Sequence, residues 1–347
     1  MKTNRVALVL AAAVAATAAG CGGSSGSGVA GQETTIDSGV VVGAGSTLVA
    51  PLVAQWTRDY ARKQNVTITY GAIGSGGGIA QVTAKTVDFG ASDAALTPDQ
   101  RSSAPTLVQI PWALAATVVA YNLPGVGGHL KLTGPVVAGI YLGRITRWDD
   151  PAIKRLNPGT ALPSTKIVPI YRSDSSGDTA VFTEYLSQVS PAWKTRVGTS
   201  TSVSWPAGTG GQGNAGVLGA LAQTPGAIAY AAIASAKGAG ASYALLRNAG
   251  GAYPDPSPAS IAAAAQGARF SAQHTASIVN PPASAKNAYP MATFTYALVP
   301  KGSPKLATLK RFLRYAVGAG QSFAEHLSFA PLPASVRKAD LKVIAGL

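Results

Sequence analysis

Cysteine, histidine and acidic residues are scarce in this chain of 347 residues, and each shortage excludes a class of protein. A single cysteine, Cys21, excludes a disulfide bond within the chain. The three histidines, His129, His274 and His326, stand far apart and lack the ligand spacing of a metal-dependent hydrolase. The G-x-S-x-G motif of serine hydrolases is also missing. We therefore expect no metal, no cofactor and no enzymatic activity.

Acidic residues number 14 against 28 basic ones, which gives a formal net charge of +14. A charge of this size makes nucleic acid a partner to consider. The lysines and arginines, however, are scattered along the sequence without basic runs or interleaved aromatic residues. This pattern favours a solvated basic surface that attracts small anions over a nucleic-acid track.

The first 36 residues predict the cellular compartment. Residues 6–19 form an apolar run, shorter than a membrane span, that follows Lys2 and Arg5, as in a bacterial signal peptide over residues 1–20. Ala18-Ala19-Gly20-Cys21 resembles a lipoprotein processing box, with Ala where Leu is usual. We expect a lipid on Cys21 rather than a buried thiol. The Gly/Ser-rich residues 21–36 would form a flexible tether.

An anion site is predicted at Arg172-Ser173-Asp174-Ser175-Ser176-Gly177-Asp178-Thr179. A strand over residues 167–171 precedes this stretch and apolar residues at helical spacing follow it, so residues 176–178 should begin a helix. Free backbone N–H groups at a helix start attract anions, and the Arg172 guanidinium matches the oxygens of phosphate or carboxylate. Taken alone, the stretch is equally consistent with a capped helix beside a surface arginine.

Three earlier strands end in residues that suit the same site. Thr47 and Ser75 follow Gly-rich turns, and Asp93 ends a third predicted strand. The first turn is not a dinucleotide motif, because Leu48 occupies the place of the third glycine and no acidic residue follows about 20 positions later. Each residue alone is explained as a cap or turn residue. Because ligands in open α/β sheets bind beyond the carboxyl ends of strands, we expect the three to share one crevice.

Later segments predict further elements. Residues 208–213 predict a flexible loop, and residues 293–299 predict a strand. Residues 306–317 have helical spacing, with Ser303 as the predicted cap and Gly318 as the stop. The sequence shows no repeat of fixed period, and its length suggests about two domains.

Five motifs in fixed order make the chain resemble the phosphate-binding protein family of the bacterial ABC phosphate transporter. The resemblance covers nearly all of the chain after the predicted signal peptide, and it continues through Trp205-Pro206 and Gly210-Gly211-Gln212-Gly213-Asn214 to Pro225-Gly226-Ala227-Ile228. The motifs are Gly43-Ala44-Gly45-Ser46-Thr47, Ile73-Gly74-Ser75-Gly76-Gly77, Val87-Asp88-Phe89-Gly90-Ala91-Ser92-Asp93, Ile140-Tyr141-Leu142-Gly143 with Trp148-Asp149-Asp150, and Arg172-Ser173-Asp174-Ser175-Ser176-Gly177.

The resemblance implies an α/β fold of the type II periplasmic-binding-protein class, with two domains and a hinged cleft. Domain I would comprise residues 37–112 and 290–347, and domain II residues 113–289. Phosphate would lie between the domains. Asp93 would be the carboxylate acceptor for the anion. The implied ligand residues are Thr47, Leu48 through its N–H, Ser75, Asp93, Arg172, Ser176, Gly177 and Asp178.

Asp178 departs from the family pattern, because many members have Thr directly after the Gly. A second carboxylate beside an anion costs energy unless it accepts a proton from the ligand or lies against Arg172. Leu48, where an aromatic residue is common, is a smaller departure, since the backbone makes the contact.

The implied function is capture of inorganic phosphate outside the cytoplasm and its delivery to the permease of an ABC importer. The protein would be a monomer, anchored to the membrane through the lipid on Cys21, with no nucleic-acid partner. Two alternatives remain open at this point. One is a secreted phosphatase-like enzyme that uses the same phosphate cradle, and the other is an adhesion lipoprotein without a ligand pocket.

Overall fold

The structure is a computed structural model that describes residues 39–347. These residues belong to one compact unit, Asp37–Leu347. The predicted signal peptide, the tether and Cys21 lie outside the described residues. Within residues 39–347, no helix is both long enough and apolar enough to span a bilayer.

Ten strands and twelve α-helices alternate along the described chain, which confirms the predicted α/β class. The strands are β1 Val41–Gly45, β2 Ile68–Ala72, β3 Phe89–Ser92, β4 Leu107–Tyr121, β5 Lys131–Leu132, β6 Val168–Arg172, β7 Thr209–Gly211, β8 Ala227–Ala232, β9 Ser242–Leu246 and β10 Ala292–Pro300. The helices are α1 Ala50–Gln64, α2 Ser75–Thr83, α3 Pro98–Ser103, α4 Gly134–Tyr141, α5 Pro151–Leu156, α6 Gly177–Val189, α7 Pro191–Arg196, α8 Gly213–Gln223, α9 Ile233–Gly238, α10 Pro258–Ala264, α11 Leu306–Val317 and α12 Ala334–Ala345. Two short 3₁₀ helices, Ala319–Phe323 and Glu325–Leu327, separate α11 from α12.

The strands join into one sheet in the order β2-β1-β3-β10-β4-β8-β6-β7, with β9 beside β4 and β5 beside β9. At one end β1, β2 and β3 are parallel, and we call them the first sheet half. At the other end β6, β7 and β8 are parallel, and we call them the second sheet half. Loops at the carboxyl ends of parallel strands are where α/β folds place their ligands.

Two antiparallel strands connect the sheet halves. The 15-residue strand β4 pairs with β10 from Leu107 to Ala116, and its remaining residues, Thr117 to Tyr121, pair with β8. Strand β10 also pairs with β3. The predicted boundary between residues 112 and 113 therefore falls inside β4, and the one between residues 289 and 290 falls just before β10.

Buried aromatic residues form the core on both sides of these strands. Trp56 of α1 packs edge-on against Trp112 of β4, with ring centroids 5.4 Å apart. In the second sheet half, Phe182 of α6 stacks on Tyr230 of β8 at 4.3 Å. Because aromatic side chains remove large apolar areas from water, they hold α1 and α6 against the sheet. The positions of the ends of both helices are thereby fixed as well.

Two local predictions are wrong. The predicted loop over residues 208–213 contains β7, which pairs with β6, and Gly213 already begins α8. Ser303 does not cap α11, because that helix begins only at Leu306 after a turn, and its N-cap, Lys305, makes no side-chain cap hydrogen bond. Gly318 ends α11 as predicted.

Candidate functional site

The N-terminal end of α6 lies directly beyond the carboxyl end of β6. Ser176 is its N-cap, and its Oγ accepts a hydrogen bond from the N–H of Thr179 at 3.4 Å. Tyr230 holds this end in place, because its hydroxyl accepts from the N–H of Arg172 at 3.0 Å and bonds to Thr179 Oγ1 at 2.7 Å. The core aromatic stack therefore positions both the arginine and the start of the helix. The strand before Arg172 and the helix that begins at Gly177 are as the sequence predicted.

Arg172 is buried and is held by two carboxylates. Its Nε donates to Asp174 Oδ1 at 2.8 Å, and its Nη1 donates to Asp178 Oδ2 at 3.0 Å. The Nη2 of Arg172 also donates to the second carboxylate oxygen of Asp174, Oδ2. Burial acts to raise the pKa of Asp174, but the hydrogen bonds from Arg172 and from the Gly213 N–H, together with the charge of Arg172, outweigh it, and the pKa falls below its usual value. Three of the five guanidinium N–H groups are thus used, and the other two have no acceptor among residues 39–347.

Asp93 is the second buried carboxylate centre. Its Oδ2 accepts from Ser46 Oγ at 2.6 Å and from Ser75 Oγ at 3.3 Å. Its Oδ1 is buried and has no hydrogen-bond partner among the described residues. Burial, together with the nearby charge of Asp178, raises the pKa of Asp93 to about 7. An unpartnered buried acceptor is costly, so this oxygen is where a ligand that donates a proton would gain most.

Several hydrogen bonds cross from the first sheet half to the second at this point. The N–H of Gly177 donates to Ser75 Oγ at 3.1 Å, and the N–H of Gly76 donates to the Ser175 carbonyl at 3.0 Å. Asn214 bridges the two halves by donating to Thr47 Oγ1 at 2.9 Å and to Asp178 at 2.8 Å. The starts of α1, α2, α6 and α8 therefore meet around one small volume.

Two glycines allow this close approach. A Cβ atom on Gly177 would lie 2.2 Å from Asp93 Oδ2, which no side chain tolerates. Gly74 has φ +91°, and a Cβ there would lie 2.4 Å from an oxygen of Asp174. The contact between the sheet halves thus depends on the absence of side chains at two positions.

The structure brings the predicted site residues together at this junction. Six of them, Thr47, Ser75, Asp93, Arg172, Gly177 and Asp178, make the hydrogen bonds described above. Ser176 caps α6, and the N–H of Leu48 donates to Ser46 Oγ at 3.0 Å. Their contact with an anion remains a prediction.

Five of the residues described here bond through their side chains to predicted site residues but were not predicted themselves: Ser46, Thr117, Asp174, Asn214 and Tyr230. Three of them lie within motifs that the sequence analysis singled out, beside or between predicted residues. Thr117, which donates to Asp178 Oδ1 at 2.7 Å, lies on β4 in an apolar stretch. No neighbouring residue in the sequence marks it as part of the site. Pairing across 61 residues can be seen only in the fold.

Open space flanks the junction on two sides. A cavity of about 470 Å³ is lined by Thr47, Ile73, Asp174 and Asn214, among others. A second, of about 530 Å³, reaches Asp93. No group of three or more His, Cys, Asp or Glu residues within residues 39–347 is arranged to hold a metal ion.

The chain matches a family model described as a PBP superfamily domain over residues 24–319. It is 42% identical over 302 residues to the phosphate-binding protein PstS of Xylella fastidiosa, which covers 86% of this chain and 83% of that protein. It is 37% identical to PstS of Pasteurella multocida, covering 87% and 89%, and 32% identical to PstS 2 of Mycobacterium tuberculosis, covering 90% and 89%.

Solved structures share the fold. A high affinity periplasmic phosphate-binding protein (PfluDING) bound with phosphate is 21% identical with a TM-score of 0.71, over 87% of this chain and 92% of that one. The phosphate-binding protein of Stenotrophomonas maltophilia is 19% identical with a TM-score of 0.64, over 88% and 93%. The predicted type II periplasmic-binding fold is thereby confirmed, and the chain belongs to the PstS family of phosphate-binding proteins.

Proposed function

We propose that this protein is the solute-binding component of an ABC phosphate importer and that it binds inorganic phosphate where the two sheet halves meet. The named relatives support the function. The charged and polar groups at the junction support the position proposed for the bound phosphate. The buried Arg172 guanidinium has two free N–H groups that can donate to an anion. The hydroxyls of Ser75 and Ser176 and the start of α6 also favour a bound anion.

The single observation that carries the proposal is the unpartnered Oδ1 of Asp93. A carboxylate acceptor beside an anion is unfavourable unless the anion itself donates a hydrogen bond. Phosphate at neutral pH carries at least one proton and meets this condition. Arg172, through its two remaining N–H groups, and the hydroxyls of Thr47 and Ser176 would then supply donors on the other sides of the anion.

Titration calorimetry with inorganic phosphate tests this proposal. We expect a single site in the wild-type protein. Arg172→Ala should weaken binding by about 2–5 kcal/mol, because it strips the charge partner from a desolvated anion. Arg144→Ala, a change at an exposed arginine of the second sheet half, is the control. Absence of measurable phosphate binding in the wild-type protein would refute the proposal.

We also propose that two domains, residues 37–112 with 290–347 and residues 113–289, close over the anion. The contacts of Gly177 with Ser75 and of Asn214 with Thr47 would form on closure, while β4 and β10 would act as the hinge. Small-angle scattering should show compaction when phosphate is added. Identical scattering curves with and without saturating phosphate would rule out the closure.

Cys21 would carry the lipid that holds the protein at the extracytoplasmic face of the membrane, near its permease. The support is the sequence before Cys21 and the periplasmic location named for one structural neighbour. Mass spectrometry of the native protein should find an acylated Cys21 at the N-terminus. An unmodified Cys21 in the mature protein would contradict the anchor.

An enzymatic role is the less supported candidate, since the named relatives are binding proteins. A chromogenic phosphate monoester tests it directly, and we expect no turnover above the buffer rate. An adhesion role without a ligand is tested by the same phosphate calorimetry.

A further inference from the structure

Three packed helices carry half of the chain's excess positive charge. Together α1, α11 and α12 hold nine basic and two acidic residues, an excess of seven against the chain's net +14. Seven of the nine are exposed. The nine, which we call the basic helical face, are Arg58, Arg62, Lys63, Lys310, Arg311, Arg314, Arg337, Lys338 and Lys342.

Contacts between the helices hold α1 and α12 beside α11. The ring of Tyr60, near the end of α1, lies 5.4 Å from that of Phe312 in α11. Lys310 of α11 donates to the carbonyl of Ala345, the last residue of α12, at 3.0 Å. Helix α11 therefore packs against the end of α1 through Phe312 and contacts the end of α12 through Lys310.

The acidic residues of these helices leave the charge largely uncompensated. Asp340 is fully buried and bonds to His274. Asp59 is buried beneath the surface, where it accepts from Lys63 at 2.7 Å and from the Tyr315 hydroxyl at 2.6 Å. Exposed Glu325 belongs to a 3₁₀ helix beyond the C-terminal end of α11. The outward surface is thus strongly cationic.

Exposed apolar side chains accompany the basic ones. Leu341 lies between Lys338 and Lys342 in sequence and is 43% exposed. Val40 is 47% exposed, and its carbonyl accepts a hydrogen bond from Lys305, just before α11. Basic residues mixed with exposed aliphatic ones are typical of surfaces that lie on anionic membranes.

The basic helical face does not belong to the phosphate site. Helix α1 begins beside Thr47 and runs away from it, which places Arg62 about 20 Å further along the helix. At that separation, exposed charges are screened from a ligand by physiological salt. The face needs a different explanation.

We propose that the basic helical face docks the folded body on an anionic phospholipid surface. Charge complementarity and the course of the chain support this partner. Strand β1 begins beside Lys305, so the polypeptide that leads back to Cys21 leaves the body next to this face. The tether predicted over residues 21–36 would have a mean span of about 25 Å, so a lipid on Cys21 would hold the body close to the bilayer. The inference rests on the lipid anchor of the proposed function.

A fluorescent reporter on the face tests the docking. Ala345→Cys, exposed at the end of α12, would carry an environment-sensitive dye on the lipidated protein, and Thr195→Cys in α7 would carry it as the control position. Vesicles of phosphatidylcholine alone are compared with vesicles that also contain phosphatidylglycerol. We expect a blue shift at position 345 only on the anionic vesicles, reversed by high salt, and no shift at position 195.

Charge-reversal variants complete the test. The triple variant Arg62→Glu, Arg314→Glu and Lys338→Glu should lower the docked population by at least 100-fold, since each basic residue near an anionic surface contributes about fivefold. The matched triple Arg144→Glu, Lys166→Glu and Lys194→Glu changes the net charge equally and should keep the shift. A shift that survives the first triple, or is lost equally in both, overturns the proposal. Failure of the anchor is distinguished by vesicle flotation, because the wild-type protein would then not float with neutral vesicles.

Discussion

Arg172 and Asp178 form an ion pair of 3.0 Å in which each side chain is only 1% exposed. Asp178 has two further donors, Thr117 at 2.7 Å and Asn214 at 2.8 Å, so both of its oxygens are satisfied within the protein. Of the two roles that the sequence left open for this second carboxylate, the structure shows contact with Arg172. Asp178 thus orients the guanidinium and links it to β4 and α8.

Removing the charge of Asp178 should destabilise the fold. In Asp178→Asn, Arg172 keeps its bonds to Asp174 but loses a buried partner, and such a loss costs about 3–5 kcal/mol. The free energy of unfolding in urea measures the loss. Asp149→Asn is the control, because Asp149 pairs with Arg147 at 3.4 Å on the surface, and exposed pairs contribute about 0–1 kcal/mol. Equal losses in the two variants would contradict the assigned role.

A side chain at position 177 should block the contact between the sheet halves. In Gly177→Ala the new Cβ would lie 2.2 Å from Asp93 Oδ2, and relief of such a clash costs about 1–3 kcal/mol. Phosphate affinity, measured by calorimetry, should fall by a corresponding 5- to 150-fold. Compaction in small-angle scattering should require more phosphate.

Gly219→Ala is the matched control for that variant. Gly219 lies in α8, and a Cβ there meets no atom within 4 Å. We expect unchanged phosphate affinity and a slightly more stable helix, since Ala is the better helix former. Wild-type affinity in Gly177→Ala would show that the close approach seen in the structure is not needed for binding.

Sequence reasoning located the site because its elements are local. The glycine turns before Thr47 and Ser75 can each be identified from a few neighbouring residues. The same is true of the strand that leads into Arg172. The family resemblance then supplied the role of Asp93 as the carboxylate acceptor and the type II arrangement of two domains. The short strand β7 was missed, because Thr209-Gly210-Gly211 has the composition of a loop and becomes a strand only by pairing with β6. Tertiary context overrides local propensity at such positions.

The basic helical face is a feature that the sequence does not reveal. In the sequence, Arg62 lies more than 200 residues before Arg314, and Arg314 and Lys338 belong to two different helices. The lysines and arginines therefore look evenly scattered. Contacts of α11 with α1 and with α12 then bring the helices that carry them together. Net charge is visible in composition, whereas its distribution over the surface depends on the fold.

Buried Asp340, which pairs with the partly exposed His274, should make the stability depend on pH. Asp340 Oδ1 lies 2.7 Å from His274 Nε2, and Oδ2 has no partner among the described residues. Burial raises the pKa of Asp340 from 3.8 to about 6, although the hydrogen bond from His274 opposes the shift. The folded state therefore binds a proton more tightly than the unfolded chain does. Between about pH 4 and pH 6, stability falls as pH rises, by up to about 1.4 kcal/mol per unit.

The variant Asp340→Asn should lack this decline. Subtracting its unfolding free energy from that of the wild-type protein, at each pH, isolates the contribution of Asp340, which should become less favourable by about 3 kcal/mol over this range. Asp99→Asn, a change at an exposed carboxylate of α3, is the control for the loss of a carboxylate. A pH-independent difference for Asp340→Asn would mean that the carboxyl titrates alike in the folded and unfolded chains.

Selectivity for phosphate over sulfate should depend on Asp93. Both anions are tetrahedral and of similar size, so Arg172, the hydroxyls and the start of α6 cannot tell them apart. Phosphate near neutral pH has a proton to donate to the unpartnered Oδ1 of Asp93, whereas sulfate has none. Two acceptors would then face each other in a dry site, and such a site rejects the analogue by as much as about 10⁴-fold.

The pH dependence of sulfate competition has a definite sign. Since the pKa of Asp93 is raised to about 7 by burial and by the charge of Asp178, acid protonates the carboxyl and turns it into a donor that sulfate accepts. Sulfate should therefore compete better below about pH 7 and worse above it. Asp93→Asn, which carries a permanent N–H donor, should bind sulfate at every pH, while Asp99→Asn should behave as the wild type. Competition calorimetry measures all three, and if sulfate displaces phosphate from the wild-type protein at comparable concentrations above pH 7, Asp93 does not sense the ligand's proton.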